Sequence, residues 1–422
     1  MSLEHDMAVI CPANVRDKWR AALALFEIEP LFVESYNKLR NGSSTWLERS
    51  LNQHRLCFKW LLSRPTLVIV DEVHYCAAQK SLNADMLDAL LSTSARVLGL
   101  SGTVANDPTQ LKVIGKGLGL HDGRNFWRWC LANGCEEGQW GGVQFTKNKS
   151  LQHQHLLAIH QHIYPNRGSR LLKAELKDQL PPQLVQPEAV TVADDMDDEP
   201  TCVQVALQAV VDAELADEER AAEKAEEAGG LVEVAGFTKD LRARQYAELQ
   251  LCRWLAEDAA EAWAQGNAVV IFCLFDGTVG CVKEWLEGET KAEVLEYTGN
   301  VPAARRKANL EEFQNNRKRL LVANLGAGAQ SIDMHDTIGT APRVGYICPT
   351  YSAKLLLQAM GRFDRDGKKT PSIIKLPFTS GVQDKVMANV QGKLDNMALL
   401  QDGDINMRPQ VRILKKRKTT KK

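Results

Sequence analysis

The sequence predicts an α/β protein with two parallel-sheet domains, because short apolar runs alternate with stretches of helical pattern. The first series of runs is MAVICP (7–12), LFVES (31–35), PTLVIVDE (65–72) and ARVLGLSGT (95–103). The second is NAVVIFCLF (267–275), AEVLEYTG (292–299), KRLLVANLG (318–326) and RVGYICP (343–349). Ligands of such sheets bind at the carboxyl ends of the strands, so the polar residues after each run are the first site candidates.

Composition places the chain among ordinary globular proteins. The 422 residues are 44% hydrophobic and 25% charged, which excludes collagenous, mostly disordered and disulfide-dense classes. At roughly 150 residues per domain, two or three domains fit this length. No apolar run approaches the roughly 18 residues of a membrane span, and the start has no secretory pattern. We therefore expect a cytoplasmic or nuclear protein.

Cysteine spacing bears on metals and redox state. The ten cysteines form no CxxC pair, and Cys130 and Cys135 have no second pair that could complete a zinc knuckle. We expect reduced, buried thiols and no structural metal. His153, His155, His160 and His162 lack the i,i+4 spacing of a zinc-binding helix. The tryptophans at positions 127, 129 and 140 are expected in a core rather than stacked on bases.

The middle and the end of the chain differ from the two strand series. Residues 119–265 contain a proline-marked joint, an acidic run at 194–199 and an Ala/Glu-rich helical stretch at 212–228. From Arg408 to Lys422 there are eight basic residues and no acid, which leaves 44 basic against 53 acidic residues elsewhere. This tail is interpreted as a solvated arm for phosphate backbone or localisation, or as a plain disordered end.

The segment VIVDEVHYC (68–76) is the strongest local signal. A buried strand would deliver Asp71 and Glu72 at its carboxyl end, where one carboxylate can hold Mg²⁺ and the next can orient a water molecule. Taken alone, such a pair is more often two surface acids.

The second signal is LQAMGRFDRDG (357–367). Arg362 and Arg365 lie three residues apart on one helical face, after Gln358 and Gly361. Two guanidinium groups so placed suit a polyanion whose charge grows during phosphoryl transfer. An ordinary salt-bridged helix would show the same spacing.

Order along the chain links these segments. Eight segments occur in the order of the superfamily 2 helicase motifs. They are VICPANVRDKW, FVESYNKLR, VIVDEVHYC, LGLSGTVANDP, AVVIFCLF, EYTGNVPAARR, LLVANLGAGAQSIDMHD and LQAMGRFDRDG. The chain therefore resembles a superfamily 2 helicase or translocase. Within that superfamily, LSGTVANDPTQL and RGSRLLKAELKDQLPPQLV resemble segments of the Swi/Snf-type ATPases and their viral and phage relatives.

The resemblance implies two RecA-like lobes and an ATP clamp that moves along or remodels nucleic acid. The implied segments are lobe 1 (1–118), a partly helical insertion and linker (119–265), lobe 2 (266–385) and a C-terminal extension with the basic tail (386–422). ATP and Mg²⁺ are the implied cofactors. ATP hydrolysis would require the two lobes to close, because the first lobe supplies the metal and the water and the second supplies the arginine side chains.

Site residues carried over by position fall into two groups. Nucleotide roles are implied for Asp71 (Mg²⁺), Glu72 (attacking water), His74, Ser101 and Thr103 (coupling to nucleic-acid grip), Arg362 and Arg365 (nucleotide charge), Gln358 (support) and Asp333 (interlobe face). Nucleic-acid contacts are implied at Pro12, Ser35, Phe272, Asn324 and Gly326. Such contacts go mostly to sugar and phosphate, so we expect little base specificity, with duplex DNA favoured.

The chain departs from the family at the phosphate-binding loop. No GxxxxGK[ST] occurs, and the seven residues before Ala8 are too few for a strand, loop and helix, so the first lobe is expected to be N-terminally truncated. KVIGKGLGL (112–120) comes after LSGTVANDPTQL (100–111) and lacks the Ser/Thr, so we reject it as a substitute phosphate-binding loop. Three explanations stay open: a loop supplied by a missing N-terminal segment or a separate chain, a catalytically inactive nucleic-acid-binding or scaffolding protein, or another phosphate cradle. Ser331 stands where the family usually has glycine.

Overall fold

A computed structural model describes most of the chain and divides it into two compact units. The described residues are 6–52, 55–138, 141–172, 175, 180–192, 201–228, 236–328, 332–407, 409 and 411. Unit 1 comprises Met1–Leu172 with Lys393–Arg408, and unit 2 comprises Lys173–Gly392 with Pro409–Lys422. The acidic run at 194–199, Trp140, Ser331 and the tail basic residues lie outside the described residues. The predicted four-segment division of the chain stays a prediction.

Of the strands that the structure describes, eight overlap the predicted apolar runs, and the other six, at 47–52, 55–60, 135–137, 143–145, 183–189 and 372–378, were not predicted. The strands are β1 (Asp6–Cys11), β2 (Phe32–Ser35), β3 (Leu47–Asn52), β4 (Arg55–Trp60), β5 (Thr66–Asp71), β6 (Arg96–Leu100), β7 (Cys135–Glu137), β8 (Val143–Phe145), β9 (Gln183–Ala189), β10 (Ala268–Cys273), β11 (Leu295–Tyr297), β12 (Leu320–Asn324), β13 (Arg343–Ile347) and β14 (Ser372–Phe378).

The α-helices lie mostly between the strands. They are α1 (Arg16–Leu25), α2 (Tyr36–Arg40), α3 (Leu82–Leu91), α4 (Lys112–Gly117), α5 (Phe126–Ala132), α6 (Lys149–Ile163), α7 (Thr201–Ala228), α8 (Gly236–Leu249), α9 (Cys252–Ala264), α10 (Asp276–Thr290), α11 (Ala303–Gln314), α12 (Leu325–Gly328), α13 (Ala353–Gly361) and α14 (Val382–Asp402). Within the described part of the chain, no helix combines the length and apolarity needed to cross a bilayer.

Unit 1 is built on a parallel sheet with the strand order β2-β1-β5-β6. One face carries the larger core, which includes Ile10, Val68 and Val70. The other face carries a smaller cluster with Val9 and Ile69, covered in part by α1. Alternate residues of each strand therefore serve two cores, as expected for a parallel sheet buried on both faces.

Unit 2 is built on a six-stranded parallel sheet with the order β11-β12-β10-β13-β14-β9. Every residue of the central strand β10 is buried. Helices α9 and α10 cover one face of the sheet, and their apolar residues join its core. The two parallel sheets confirm the predicted α/β class. Parallel pairing also gathers the carboxyl ends of neighbouring strands at one edge of each sheet.

The region 119–265, predicted to be partly helical, contains helices α5 to α9 and also strands β7 to β9 in the part that the structure describes. On α5, the Trp129 ring packs between His121 and Phe126, with centroids 5.1 and 6.1 Å away. Trp129 therefore belongs to a core, whereas Trp127 is 45% exposed. On α6, His160 faces the carbonyl of Leu400 at 3.2 Å.

A close approach at Gly345 positions the segment that follows α13. A Cβ atom on Gly345 would lie 2.5 Å from Cζ of Phe363 and 2.9 Å from Cδ1 of Ile374. Both neighbours are fully buried and cannot move aside. Only glycine at this position lets the Phe363 ring pack against the sheet directly after Arg362.

We predict that Gly345→Ala destabilises unit 2 by about 1–3 kcal/mol, the usual cost of overpacking a filled core. Urea denaturation measures the free energy of unfolding. The matched control is Gly280→Ala on α10, where nothing lies within 4 Å of the added Cβ. That variant should be stabilised by up to about 1 kcal/mol, because alanine favours helix. Equal stability of Gly345→Ala and wild type would contradict the packing argument.

Candidate functional site

The carboxyl edge of the first sheet brings together the acidic pair and the serine predicted from separate segments. Asp71 ends β5 and pairs in register with Leu100, the last residue of β6. Glu72 and Ser101 therefore leave the two neighbouring strands side by side. Oγ of Ser101 lies 3.5 Å from Oε2 of Glu72, although 29 residues separate them in the chain.

His74 joins this pair. Its Nδ1 lies 3.0 Å from Oε2 of Glu72 and 2.9 Å from Oγ of Ser101. The Ser101 hydroxyl donates to the carbonyl of Thr103 at 2.6 Å and accepts from its amide at 3.2 Å. The imidazole is buried, so these contacts fix the Glu72 carboxylate from one side. The structure thus assembles Glu72, His74, Ser101 and Thr103 into one hydrogen-bonded group.

The backbone of Glu72 is left-handed, with φ 53° and ψ 49°. A non-glycine residue in this region costs of order 1–3 kcal/mol and persists only where its surroundings enforce it. Here the contacts of the carboxylate with His74 and Ser101 supply that enforcement. The Tyr36 hydroxyl also donates to the carbonyl of Asp71 at 2.7 Å, which fixes the preceding peptide. The strained turn aims Glu72 away from the direction of β5.

Asp71 has a partner that the sequence did not reveal. The indole Nε1–H of Trp19, on α1, donates to Oδ2 of Asp71 at 2.9 Å. Burial raises the pKa of the Asp71 carboxyl above its ordinary value, and the Trp19 hydrogen bond opposes that rise. Trp19 lies 52 residues earlier, and nothing in its local sequence signals a contact with an acid. The tryptophan holds the carboxylate in one orientation.

The residues of this edge fit a magnesium-bound nucleotide. Carboxylate oxygens such as those of Asp71 are the ligands that Mg²⁺ prefers in proteins. The hydroxyl of Thr103 is buried and has no hydrogen-bond partner among the described residues. A buried hydroxyl without a partner calls for an explanation, and a ligand oxygen or a water would satisfy it.

The two predicted nucleic-acid positions of unit 1 lie on the same edge. Pro12 follows β1 directly, and Ser35 ends the adjacent strand β2. Ser35 is buried, and its side chain accepts from the amide of Lys38 to cap α2. Any contact of Ser35 with nucleic acid therefore falls to its backbone and to the residues after it.

The glycine-lysine segment near residue 116 is a helix rather than a phosphate loop. Lys112–Gly117 form α4, and Lys116 pairs with Asp88 at 2.6 Å. This arrangement agrees with the rejection of KVIGKGLGL as a substitute phosphate cradle.

In unit 2, the paired arginines lie at the end of α13. Arg362 caps this helix and is buried, and its carbonyl accepts from the amide of Met334 at 2.8 Å. Arg365 is half exposed, and its Nε lies 3.7 Å from Oδ1 of Asp333. Gln358 lies one helical turn before Arg362 and is partly buried. The prediction that both arginines share one helical face is wrong, because α13 ends at Gly361 and Arg365 lies beyond the helix, where it contacts Asp333.

The predicted nucleic-acid positions of unit 2 gather at the carboxyl edge of its sheet. Asn324 ends β12, and its amide donates to Oδ1 of Asp276 at 2.8 Å. The side-chain oxygen Oδ1 of Asn324 accepts from the backbone amide of Gly326 at 2.9 Å, and Gly326 is exposed. Phe272 is fully buried and packs edge-to-face on Phe363. The Phe272 side chain is therefore not available for the predicted nucleic-acid contact, and only the residues after it could make one.

Glu248 is a further residue that sequence reasoning missed. It lies on α8, and its carboxylate accepts from the amides of Leu274 and Phe275 at 3.0–3.1 Å. These two amides belong to the loop between β10 and α10. Burial raises the pKa of Glu248 to about 7 against the opposing effect of the two amide hydrogen bonds. None of the recognised motifs includes α8. In the sequence, Glu248 is one charged residue in a helical stretch, which does not indicate a buried contact with a loop.

Glu248 also lies close to two thiols. One ligand atom each from Glu248, Cys273 and Cys348 lies within 4.8 Å of the others, and all three residues are buried. Since both Glu248 oxygens already accept amide hydrogen bonds, the carboxylate serves first as a loop anchor. The expectation of no structural metal stays a prediction.

Comparisons with known proteins point in one direction. A family model described as the helicase conserved C-terminal domain matches residues 250–367. A protein of Acanthamoeba polyphaga mimivirus, L364, whose name describes it as an ATP-dependent RNA helicase, is 21% identical over 429 residues. That match covers 94% of this chain and 75% of the viral protein.

Two solved structures show weaker likeness. The C-terminal part of the Fun30 ATPase domain matches 50% of this chain and 90% of its own, with 11% identity and a TM-score of 0.34. Dbp5 of S. cerevisiae, bound to RNA and ADP BeF3, matches 93% of this chain and 76% of its own, with 10% identity and a TM-score of 0.44. These scores are low, so the fold class rests on the two parallel sheets described above.

We predict a pH-dependent stability term from Glu248. A carboxyl whose folded pKa is about 7, against 4.5 unperturbed, stabilises the fold below pH 4.5 and loses that contribution as pH rises to 7. Relative to Glu248→Gln, wild type should lose about 3 kcal/mol of unfolding free energy between pH 4.5 and 7.5. Urea denaturation of both proteins across this range measures the difference. A difference that is constant with pH would contradict the raised pKa.

Proposed function

We propose that this chain couples ATP hydrolysis to movement along, or remodelling of, nucleic acid. Its family match and its homology with an RNA helicase indicate a helicase-like protein of superfamily 2. The observation that carries the proposal is the group at the end of β5. There Glu72, in a strained left-handed turn, is held by His74 and Ser101 beside Asp71.

Each residue of that group has a role in the proposed reaction. Asp71 would hold Mg²⁺, which would offset the negative charge of the nucleotide phosphates. Glu72 would orient the attacking water, since its carboxylate is fixed by His74 and its backbone by the turn. Ser101 and Thr103, which follow the neighbouring strand, would sense the state of Glu72 through His74, whose Nδ1 contacts both the Glu72 carboxylate and the Ser101 hydroxyl. A change at the nucleotide would thereby alter the segment after β6.

Unit 2 would supply positive charge to the same triphosphate. Arg362 and Arg365 lie together at the end of α13, and Asp333 pairs with Arg365. An arginine that reaches a nucleotide from a second lobe is worth about 10³ to 10⁵ in rate. We infer that both arginines would act on the nucleotide phosphates, and that Gln358 supports the end of α13, which they follow.

The phosphate cradle would come from outside the 422 residues. The open side of β6 supports this inference: β6 is the edge strand of the first sheet, and Leu98 on it is 47% exposed. Strands of parallel sheets are normally buried on both faces. We propose that a strand and glycine loop from an N-terminal extension or a separate chain adds to this edge.

Nucleic acid is the proposed partner, along the carboxyl edges that carry Pro12, Ser35, Asn324 and Gly326. Likeness of LSGTVANDPTQL to the Swi/Snf-type branch favours duplex DNA, whereas the name of the viral relative points to RNA. Both polymers therefore belong in every assay.

Glu72→Gln tests the motor proposal against a catalytically inactive binding or scaffolding protein. Where wild type releases phosphate in response to duplex DNA or RNA, Glu72→Gln should lower that rate at least about 100-fold, because the water loses its orienting carboxylate. Glu48→Gln is the control, since Glu48 forms an exposed ion pair with Lys59 in the same unit. If wild type and Glu72→Gln are equally inactive, the chain is not a motor by itself. That result would favour a catalytically inactive binding or scaffolding protein.

Arg362→Gln tests the contribution of unit 2. Stimulated phosphate release should fall about 10³-fold, with nucleic-acid affinity little changed. Arg317→Gln is the matched control, because Arg317 forms an exposed pair with Glu312 in the same unit. Full activity of Arg362→Gln would remove the arginine from the reaction.

A further inference from the structure

Helix α8 carries three charged residues on one face. Asp240, Arg244 and Glu248 are spaced four residues apart, so they lie one above the other along the helix. All three contact the residues that follow strands β10 and β13, which are neighbours in the second sheet. This face lies before the family match, which begins at residue 250.

The middle residue of the face lies between two aromatic rings. Cζ of Arg244 is 5.1 Å from the centroid of the Tyr351 ring and 5.9 Å from that of Phe275. Both distances fall within the range of a cation–π contact. The Arg244 side chain is only 15% exposed, so the guanidinium is largely enclosed by its neighbours.

Asp240 and Glu248, the other two residues of this face, also contact Tyr351 and Phe275. Asp240 accepts from the Tyr351 hydroxyl at 3.2 Å and pairs with Nε of Arg244 at 3.3 Å. Glu248 accepts from the amide of Phe275 at 3.0 Å. The Tyr351 side chain is therefore held by both Asp240 and Arg244. Phe275, in contrast, is held by Glu248 through its backbone and by Arg244 through its ring.

The rings stand where nucleic acid is proposed to pass. Phe275 follows β10 and Tyr351 follows β13, and both side chains are partly exposed. Asn324 donates to the carbonyl of Leu274 and to Asp276, which ties the end of β12 to the same loop. Two rigid, partly exposed rings thus sit beside the predicted backbone contacts.

We propose that Tyr351 and Phe275, fixed by Arg244, form a stacking platform for an unpaired base of bound single-stranded nucleic acid. This inference rests on the proposed nucleic-acid function and adds to it a contact with the base. Since every base has a π-face, such a platform binds without sequence preference. Because Asp240 neutralises Arg244, the platform contributes stacking rather than net charge, and its contribution should change little with salt.

The test compares oligonucleotides with and without bases. Fluorescence anisotropy measures binding of the full chain to oligo(dT), oligo(rU) and an abasic strand of equal length. Stacking on one aromatic side chain changes affinity by about fivefold to more than a hundredfold per base. Wild type should therefore bind the base-containing strands at least about fivefold more tightly than the abasic one. The dT and rU arms separate DNA from RNA.

Tyr351→Ala should remove most of that preference while leaving the abasic affinity unchanged. Tyr351→Trp, which keeps a ring, should restore it. Unchanged abasic binding also shows that the alanine variant is folded. Trp263→Leu is the matched control: Arg319 lies 5.7 Å from the Trp263 ring, near the amino ends of β10 and β12. This control should keep the wild-type preference.

Three results would overturn the platform. They are equal wild-type affinity for base-containing and abasic strands, an unchanged preference in Tyr351→Ala, or an equal loss for both kinds of strand in that variant. Equal wild-type affinities would leave nucleic-acid binding intact and remove only the platform. Failure of wild type to bind any strand would instead contradict the proposed function itself.

Discussion

Parallel strand pairing is the constraint on which the candidate site depends. Pairing of Asp71 with Leu100 brings Glu72 and Ser101 into contact across 29 residues of sequence. A shift of one residue along β6 would turn each of its side chains to the other face and separate the two groups. The same constraint in unit 2 gathers Asn324, the loop after β10 and the segment after β13 at one edge.

Much of the fold followed from the sequence because parallel strands read as continuous apolar runs. The runs at 7–12, 65–72 and 267–275 contain most of β1, β5 and β10. The same logic placed Asp71, Ser101 and Asn324 at strand ends, since polar residues directly after such runs have few other positions. The fold class and the composition of the strand edges were therefore predictable.

Other features depend on tertiary packing that leaves no local signal. Trp19 reaches Asp71 from α1, and Glu248 reaches the loop after β10 from α8. The left-handed turn at Glu72 is enforced by contacts and not by residue type. Phe272 looked like the end of a binding strand, but a strand position alone does not tell a buried ring from an exposed one. These residues gain their roles only once helices lie on the sheets.

We propose that the acids at the end of β5 and the arginines after α13 act on one metal-bound nucleotide. Titration of the chain with Mn²⁺ and ATP, followed by electron paramagnetic resonance, measures that binding directly. We predict that Asp71→Asn and Arg362→Gln each weaken the Mn²⁺–ATP complex of wild type, although the two residues belong to different units. Wild-type binding that either variant leaves unchanged would contradict this prediction.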